Sequence, residues 1–409
     1  MTINASWKER ATEAFTPNYR PAPLLLERGE GVHIFDAEGN QFLDMISGIA
    51  VSALGHNHPD LISAIIEQTK KILHTSNLYL NRPSIELAEL MCDSGFFDGV
   101  YFCNSGAEAN EAAIKLARKY AHDRGHAERN EIVSFVGSFH GRTFAALTAT
   151  AQPKYHVGFQ PLPGGFRYLP FDDVSVLEEG ITERTAGVIV EPMQGEGGVR
   201  VPTPGFLQSI RNRCDEVGAV LIFDEVQVGV GRTGHVFAHQ FENVEPDIMT
   251  LAKGIGAGLP LGAMVATKEV GASLSYGSHA TTYGGNPVAC VAGKVVFEAL
   301  KEPQFLANVT ARGEQLMDGL RRINEKHECF QEVRGRGLLI GAELRAELPF
   351  DAKALVGECR NRGVLSHIAG LQVFRLAPPL ILDESHAETA LSVFEASIDK
   401  LMNDFSPVA

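Results

Sequence analysis

Two neighbouring stretches, AVLIFDEVQVGVGRTG (residues 219–234) and PDIMTLAKGIGAGLPLGAMVATK (residues 246–268), contain three apolar runs, each cut off by charge or glycine. Short apolar runs with turn-forming ends are the pattern of strands buried on both faces, as in a parallel sheet covered by helices. Upstream, EIVSFV (131–136) and AGVIVEP (186–192) repeat the pattern, and the helical sequence PGFLQSIRNRCDEVG (204–218) stands between two such runs. From about residue 60 to 290 strands and helices alternate, which predicts an α/β layer structure around a mostly parallel central sheet.

Outside that block the pattern changes. GVHIFDAEGNQFLDM (31–45) reads as a hairpin turning at Asp36–Asn40. Beyond residue 300, the helical sequences NVTARGEQLMDGLRRINEKH and AKALVGECRNRG mix with the strands GLLIGAEL and VFRLAP, which predicts a small α+β domain. The expected division is residues 1–60, an N-terminal segment contributing to the small domain; 61–295, the large domain; and 296–409, the C-terminal small domain.

The 409-residue chain carries 36 Lys and Arg against 50 Asp and Glu, a net charge of −14. That field disfavours nucleic acid and anionic membranes, so an anionic ligand needs a local site. The six cysteines are scattered without a C-x-x-C pair, which argues against a disulfide framework or a structural zinc and for a cytoplasmic protein. Neither a signal peptide nor a stretch apolar enough to span a membrane is evident.

Lys253 is the one charged residue between Asp247 and Lys268. A buried ammonium loses hydration and its pKa falls, which makes the neutral, nucleophilic amine accessible. A lone lysine at a strand end more often snorkels to solvent. Asp224 ends an apolar run, where the ligands of open α/β sheets bind, and a carboxylate there pairs with a ring nitrogen or a metal, or caps a loop. Glu196 follows another strand in the glycine-rich VEPMQGEGG.

Further candidates sit at a helix start and on three other segments. FCNSGAEANEAAIKLARKYAHDR places Ser105, Gly106 and Ala107 at the start of a helix with an apolar alanine and leucine face, either a phosphate site or a well-capped helix. In GSFHGRT, Phe139, His140 and Arg142 offer an aromatic face, an imidazole and a guanidinium to a flat ring and a carboxylate. HATTYGGNP holds Thr282 before a Gly-Gly turn. Arg375, in an apolar run, needs a carboxylate partner from protein or ligand. His56 and His58 have no evident third ligand and read as a turn, so no metal is expected.

An amine, a carboxylate for a pyridinium nitrogen, a helix N-terminus for phosphate and an aromatic for stacking are together the needs of pyridoxal phosphate. Over nearly its whole length the sequence resembles the class III (subgroup II) aminotransferases of fold type I, and its nearest branch resembles the acetylornithine and N-succinylornithine aminotransferases. SGIAVSALGHNHP, FHGRT, VEPMQGEGG, LIFDEVQVGVGRTG, LAKG, TTYGGNP, RGRGLLIGAEL and FRLAPPL carry the likeness, together with the helix-start segment quoted above.

The resemblance implies transfer of an amino group from an N2-acylated ornithine to 2-oxoglutarate in a ping-pong cycle. It implies Lys253 as covalent anchor and proton carrier, Asp224 at the ring nitrogen, and Ser105, Gly106 and Ala107 around the phosphate. Phe139 and Val226 would sandwich the ring, with His140 beside it and Gln227 at its hydroxyl. Thr282 would reach the phosphate of a neighbouring subunit, hence a homodimer with shared sites. Glu196 would pair with Arg375 in the first half-reaction and release it to an α-carboxylate in the second, while Arg142 and Tyr19 hold the distal carboxylate.

Ser52, Val228 and His367 with Leu371 and Gln372 depart from the branch, whereas Ile49 matches it. Ornithine, 4-aminobutyrate and other ω-amines stay open as donors. A decarboxylase or racemase on the same cofactor would not need Glu196 and Arg375. A scaffold that only binds the cofactor would not need the lysine, and a hydride-transfer enzyme would need a G-x-G-x-x-G that is missing near Lys253.

Overall fold

The computed structural model describes residues 2–404. In chain order the strands are β1 (Leu26–Glu30), β2 (His33–Asp36), β3 (Gln41–Asp44), β4 (Gly99–Cys103), β5 (Glu131–Phe135), β6 (Phe166–Leu169), β7 (Thr185–Val190), β8 (Val220–Asp224), β9 (Ile248–Leu251), β10 (Gly262–Ala266), β11 (Phe330–Arg336), β12 (Leu339–Leu344), β13 (Val364–Leu365), β14 (His367–Ala369) and β15 (Val373–Leu376).

The central sheet runs β4-β10-β9-β8-β7-β5-β6. The pairs β9–β8, β8–β7, β7–β5 and β5–β6 are parallel. Only β10 is reversed, antiparallel to both β9 and β4. The link from Leu251 to Gly262 is too short for the crossover that a parallel neighbour requires. The sheet is thus mostly parallel, as the alternation of strands and helices predicts.

Every residue of β7, β8, β9 and β10 is buried, because helices cover both faces. Alternation along a strand assigns the faces. On one side Ile189, Ile222 and Ile248 pack on Ala112, Ala113, Leu116 and Ala117 of the helix Gly106–Asp123. On the other, Val188, Leu221 and Phe223 pack on Leu207, Ile210 and Cys214 of the helix Phe206–Val217. Each such aliphatic or aromatic side chain contributes about 1.5–3 kcal/mol by leaving water.

Two smaller sheets complete the molecule. One, β1-β2-β3-β13, contains the expected hairpin and joins the N-terminal strands to the far end of the chain, with Leu43 opposite Val364. The other is the antiparallel β11-β12-β15-β14, flanked by the helices Pro303–His327 and Glu384–Asp404. Val32, Leu43 and Met45 share a core with Leu316, Phe374 and Phe394. All six cysteines are unpaired, and no helix among the described residues is long and apolar enough to cross a membrane.

Candidate active site

A cavity of about 460 Å³ opens where β7 and β8 end and the chain leaves β9. That is the ligand-binding edge of an open α/β sheet, and the volume lies within the range of small-molecule sites. Of the residues singled out in the sequence, Ser105, Gly106, Ala107, Phe139, His140, Arg142, Glu196, Asp224, Val226, Gln227 and Lys253 line it. A cleft of about 1130 Å³ beside the N-terminal helix is larger, but it is open and its buried polar groups satisfy one another, as Asn4 does Asp36 at 3.0 Å.

Asp224, at the end of β8, is held on three sides. Its Oδ2 accepts from Asn110 Nδ2 at 2.8 Å and lies 2.7 Å from His140 Nδ1, while Oδ1 accepts the Val226 N–H at 3.0 Å. Asn110 in turn accepts from the Thr250 hydroxyl at 2.7 Å. The carboxylate therefore has one orientation before any ligand arrives.

Lys253 follows β9 with φ of 50°, a left-handed conformation that is costly for a non-glycine residue and persists where surrounding structure dictates it. Burial pushes its ammonium pKa below the ordinary range. Glu196 opposes that shift, and the Arg375 guanidinium adds to it. The amine is thereby moved toward its neutral, reactive form.

Glu196 Oε1 accepts from Arg375 Nη1 at 2.5 Å and from Gln227 Nε2 at 3.1 Å. Burial by itself would raise the carboxyl, but Arg375 and Lys253 outweigh it and hold the group down at about 2. Arg375, on β15, is 2% exposed. The expected pair is thus formed within a single chain.

Two residues that sequence reading passed over complete the wall. Glu191 accepts the N–H groups of Phe139 at 2.9 Å and Gly195 at 3.0 Å, tying the aromatic loop to the Glu196 loop. Burial raises it to about 7, against the pull of His140 and these two N–H groups. Its signal was a carboxylate at a strand end, the same cue that marked Asp224. Asn110 was visible as a polar residue inside an otherwise apolar helix face.

The helix Gly106–Asp123 is capped by the Ser105 hydroxyl, which accepts the Glu108 N–H at 3.2 Å. Its first turn points N–H groups at the cavity. Glycine at 106 allows this approach, since a Cβ there would stand 2.6 Å from Val226 Cγ1. Arg142 is exposed, its guanidinium 3.9 Å from the centre of the Tyr155 ring.

Two expected residues lie elsewhere. Tyr19 is 84% exposed and outside the cavity lining. Thr282 is exposed and lines a separate cleft with Tyr101 and Glu108. Among the departures, Val228 is buried in a core with Met193 and Val199, and His367 stands opposite Arg375 on β14. Ile49 sits in a left-handed turn, Ser47–Ala50, immediately before the cavity-lining Val51.

The family described as aminotransferase class-III matches residues 14–398. The chain belongs to that family. This aminotransferase is 48% identical over 381 residues to the acetylornithine aminotransferase of Xanthomonas axonopodis pv. citri, covering 92% of the chain and 93% of the relative. It is 45% identical over 395 residues to a succinylornithine transaminase of Yersinia pseudotuberculosis, covering 95% of each. The crystal structure of an ornithine aminotransferase from Toxoplasma gondii superposes with a TM-score of 0.95 at 30% identity, over 99% of this chain and 97% of that one.

Pyridoxal phosphate is the cofactor of the aminotransferase. The cavity fits it on its own chemistry. His140 Nε2, Gln227 Oε1 and Arg375 Nη2 are buried there or at its back without a protein partner, and buried polar atoms ordinarily have one. A helix N-terminus suits a phosphate, and a lysine moved toward neutrality suits a carbonyl carbon.

Proposed function

We propose that the aminotransferase moves the terminal amino group of an N2-acylated ornithine, N-acetyl- or N-succinylornithine, to 2-oxoglutarate. The products are the acylated semialdehyde and glutamate, formed in a ping-pong cycle. The names of the two curated relatives support the donor. The observation that carries the two-substrate cycle is the buried Glu196–Arg375 pair near Lys253. An ω-amine presents an uncharged methylene to this wall, whereas glutamate presents an α-carboxylate. With Glu196 in place Arg375 is compensated during the first half-reaction, and when Glu196 gives way the guanidinium receives the substrate carboxylate.

The chemistry that pyridoxal phosphate supplies when bound is an electron-accepting ring and a carbonyl carbon to carry the amino group. Ser105, Gly106 and Ala107 would hold the phosphate at the helix start. Asp224, oriented by Asn110 and His140, would face the ring nitrogen, Phe139 and Val226 would flank the ring, and Gln227 would meet its hydroxyl. Lys253 would anchor the group and, once freed, its Nζ would take the proton from the substrate carbon bearing the amino group and deliver it to the carbon that receives the amino group. Arg142, which lines the cavity, would hold the distal carboxylate, with Tyr19 assigned to share that role. Thr282 is assigned to a neighbouring subunit's phosphate, which makes a homodimer the working unit. The unpaired cysteines support a cytoplasmic enzyme.

Unacylated ornithine is a second reading, favoured by the close superposition on the Toxoplasma enzyme. One experiment separates the two. The visible absorbance of the cofactor-loaded protein is followed as single amines are added without an oxo acid. Fastest discharge by N-acetyl- or N-succinylornithine supports the proposal; fastest discharge by ornithine replaces the donor; no discharge by any amine overturns it.

A further inference from the structure

The Glu196 loop rests on a row of residues of which the cycle above uses only Arg375. Across the small antiparallel sheet Arg334 stands opposite Gly341, Gly341 opposite Arg375, and Arg375 opposite His367. Directly opposite residues share a face, so this row presents two arginines with a glycine between them. A Cβ on Gly341 would come within 2.9 Å of Val199 Cβ, so glycine there lets the loop reach the sheet.

Arg334 grips the loop from one side. Its Nη2 donates to the Gly198 carbonyl at 2.7 Å, and its Nε donates to the Gly198 and Val199 carbonyls at 3.1 and 3.0 Å. The guanidinium is itself fixed by Glu343 at 2.6 Å and Glu332 at 2.5 Å. On the other side Arg375 holds Glu196.

Val199 has φ of 52°. That conformation is costly for a β-branched residue and must be imposed by its surroundings. The hydrogen bonds to its carbonyl and to its neighbour's come from Arg334.

We propose that Arg334 is a positioning residue for the two-substrate switch, fixing the loop so that Glu196 rests against Arg375 and keeps it compensated while the donor is bound. The inference rests on the reading of Glu196 and Arg375 given above. Without the clamp Glu196 is less well placed to compensate Arg375. A donor that brings no carboxylate to that position then faces an uncompensated guanidinium, while glutamate binds as before.

The test uses the cofactor-loaded full chain and the variants Arg334→Gln, Glu196→Ala and the double variant. Single half-reactions with N-acetylornithine and with glutamate are timed by stopped flow, and hydrogen exchange is measured over residues 195–200 with and without cofactor. In Arg334→Gln the donor half-reaction should slow roughly tenfold, the equivalent of one hydrogen bond to a charged group. The glutamate half-reaction should change less than about twofold, and exchange in the loop should accelerate. In the Glu196→Ala background, Arg334→Gln should leave the ratio of the two half-reactions unchanged, because a residue acting through Glu196 has nothing left to act on.

Equal slowing of both half-reactions, unchanged exchange, or the same shift in ratio without Glu196 would each overturn the proposal. Should Arg334→Gln fail to fold, Arg334→Lys keeps the charge beside Glu332 and Glu343 but cannot reach both carbonyls, and it must show the same selective slowing. The switch itself is tested by Glu196→Ala. If that variant leaves the ratio unchanged, switch and clamp fall together; if it shifts the ratio and Arg334→Gln does not, only the clamp falls.

Discussion

Replacing Glu196 by alanine removes the partner of a guanidinium that is 2% exposed and whose Nη2 already lacks a protein acceptor. The carboxyl sits at about 2 rather than its ordinary 4.5, with Arg375 the largest stabilising influence and Lys253 and Gln227 sharing the rest. Since 1.36 kcal/mol corresponds to one pH unit, the surroundings favour the charged Glu196 by about 3 kcal/mol. That figure is net of the cost of burial and includes Lys253, so it sets only the scale of what Arg375 loses, which any carboxylate entering the site can recover.

At 1.4 kcal/mol per factor of ten, the preference of the variant for glutamate over N-acetylornithine should rise by up to about a hundredfold. Stopped-flow half-reactions with each amino donor, taken as ratios of rate to dissociation constant, read this directly. A fall of both half-reactions by one common factor would show that Glu196 only supports the loop, and would refute the reasoning.

Stability gives an independent check. A depressed folded-state pKa contributes stability above the unfolded value, here about 4.5, and loses it as pH falls toward about 2. Wild type should therefore exceed Glu196→Ala in urea stability at pH 7, and the gap should close between pH 4.5 and 2.

Lys253→Ala should lower turnover by more than about 10³-fold while the protein still binds pyridoxal phosphate non-covalently, read by steady-state rate and absorbance; wild-type turnover would remove Lys253 from the chemistry. Gly106→Ala places a Cβ 2.6 Å from Val226 Cγ1. Overpacking of about 1–3 kcal/mol should weaken cofactor binding roughly tenfold or more in equilibrium dialysis, and unchanged binding would remove the helix start from the phosphate site. Glu191 is raised to about 7 by burial, so the stability it contributes is present below about pH 4.5 and lost as pH rises through about 7. Glu191→Gln should therefore gain on wild type in urea melts between pH 5 and 8, and a pH-independent difference would count against a buried, titrating Glu191.

The central sheet was legible because strands buried on both faces leave continuous apolar runs such as Val220–Phe223 and Thr185–Val190. Direction was not written in those runs, since apolar side chains do not distinguish a parallel from an antiparallel neighbour. It lay in the length of the link instead, and the short connection from Leu251 to Gly262 alone forces β10 to reverse. Lys253, Asp224 and Glu196 were legible because a charge at the end of an apolar run is costly unless something receives it.

Asn110, Glu191 and Arg334 were harder to read because their meaning lies in partners distant in the chain. Asn110 acts through Asp224 and Thr250, 114 and 140 residues away. Arg334 acts through carbonyls 135 and 136 residues away. Carbonyl partners leave no trace in the identity of the residues that supply them, so no pattern of charges could have paired Arg334 with Gly198. The same contacts explain how the two parts of the fold share one site. The large sheet brings carboxylates to its strand ends at Asp224 and Glu191, and the small sheet brings Arg375 and Arg334 on one row. Glu196 lies on the loop between them, bound at one end by Glu191 through Gly195 and at the other by Arg334 through Gly198. In the proposed cycle a loop held at both ends in this way lets Glu196 move off Arg375 and back without losing its place, as a site serving both an ω-amine and an α-amino acid would require.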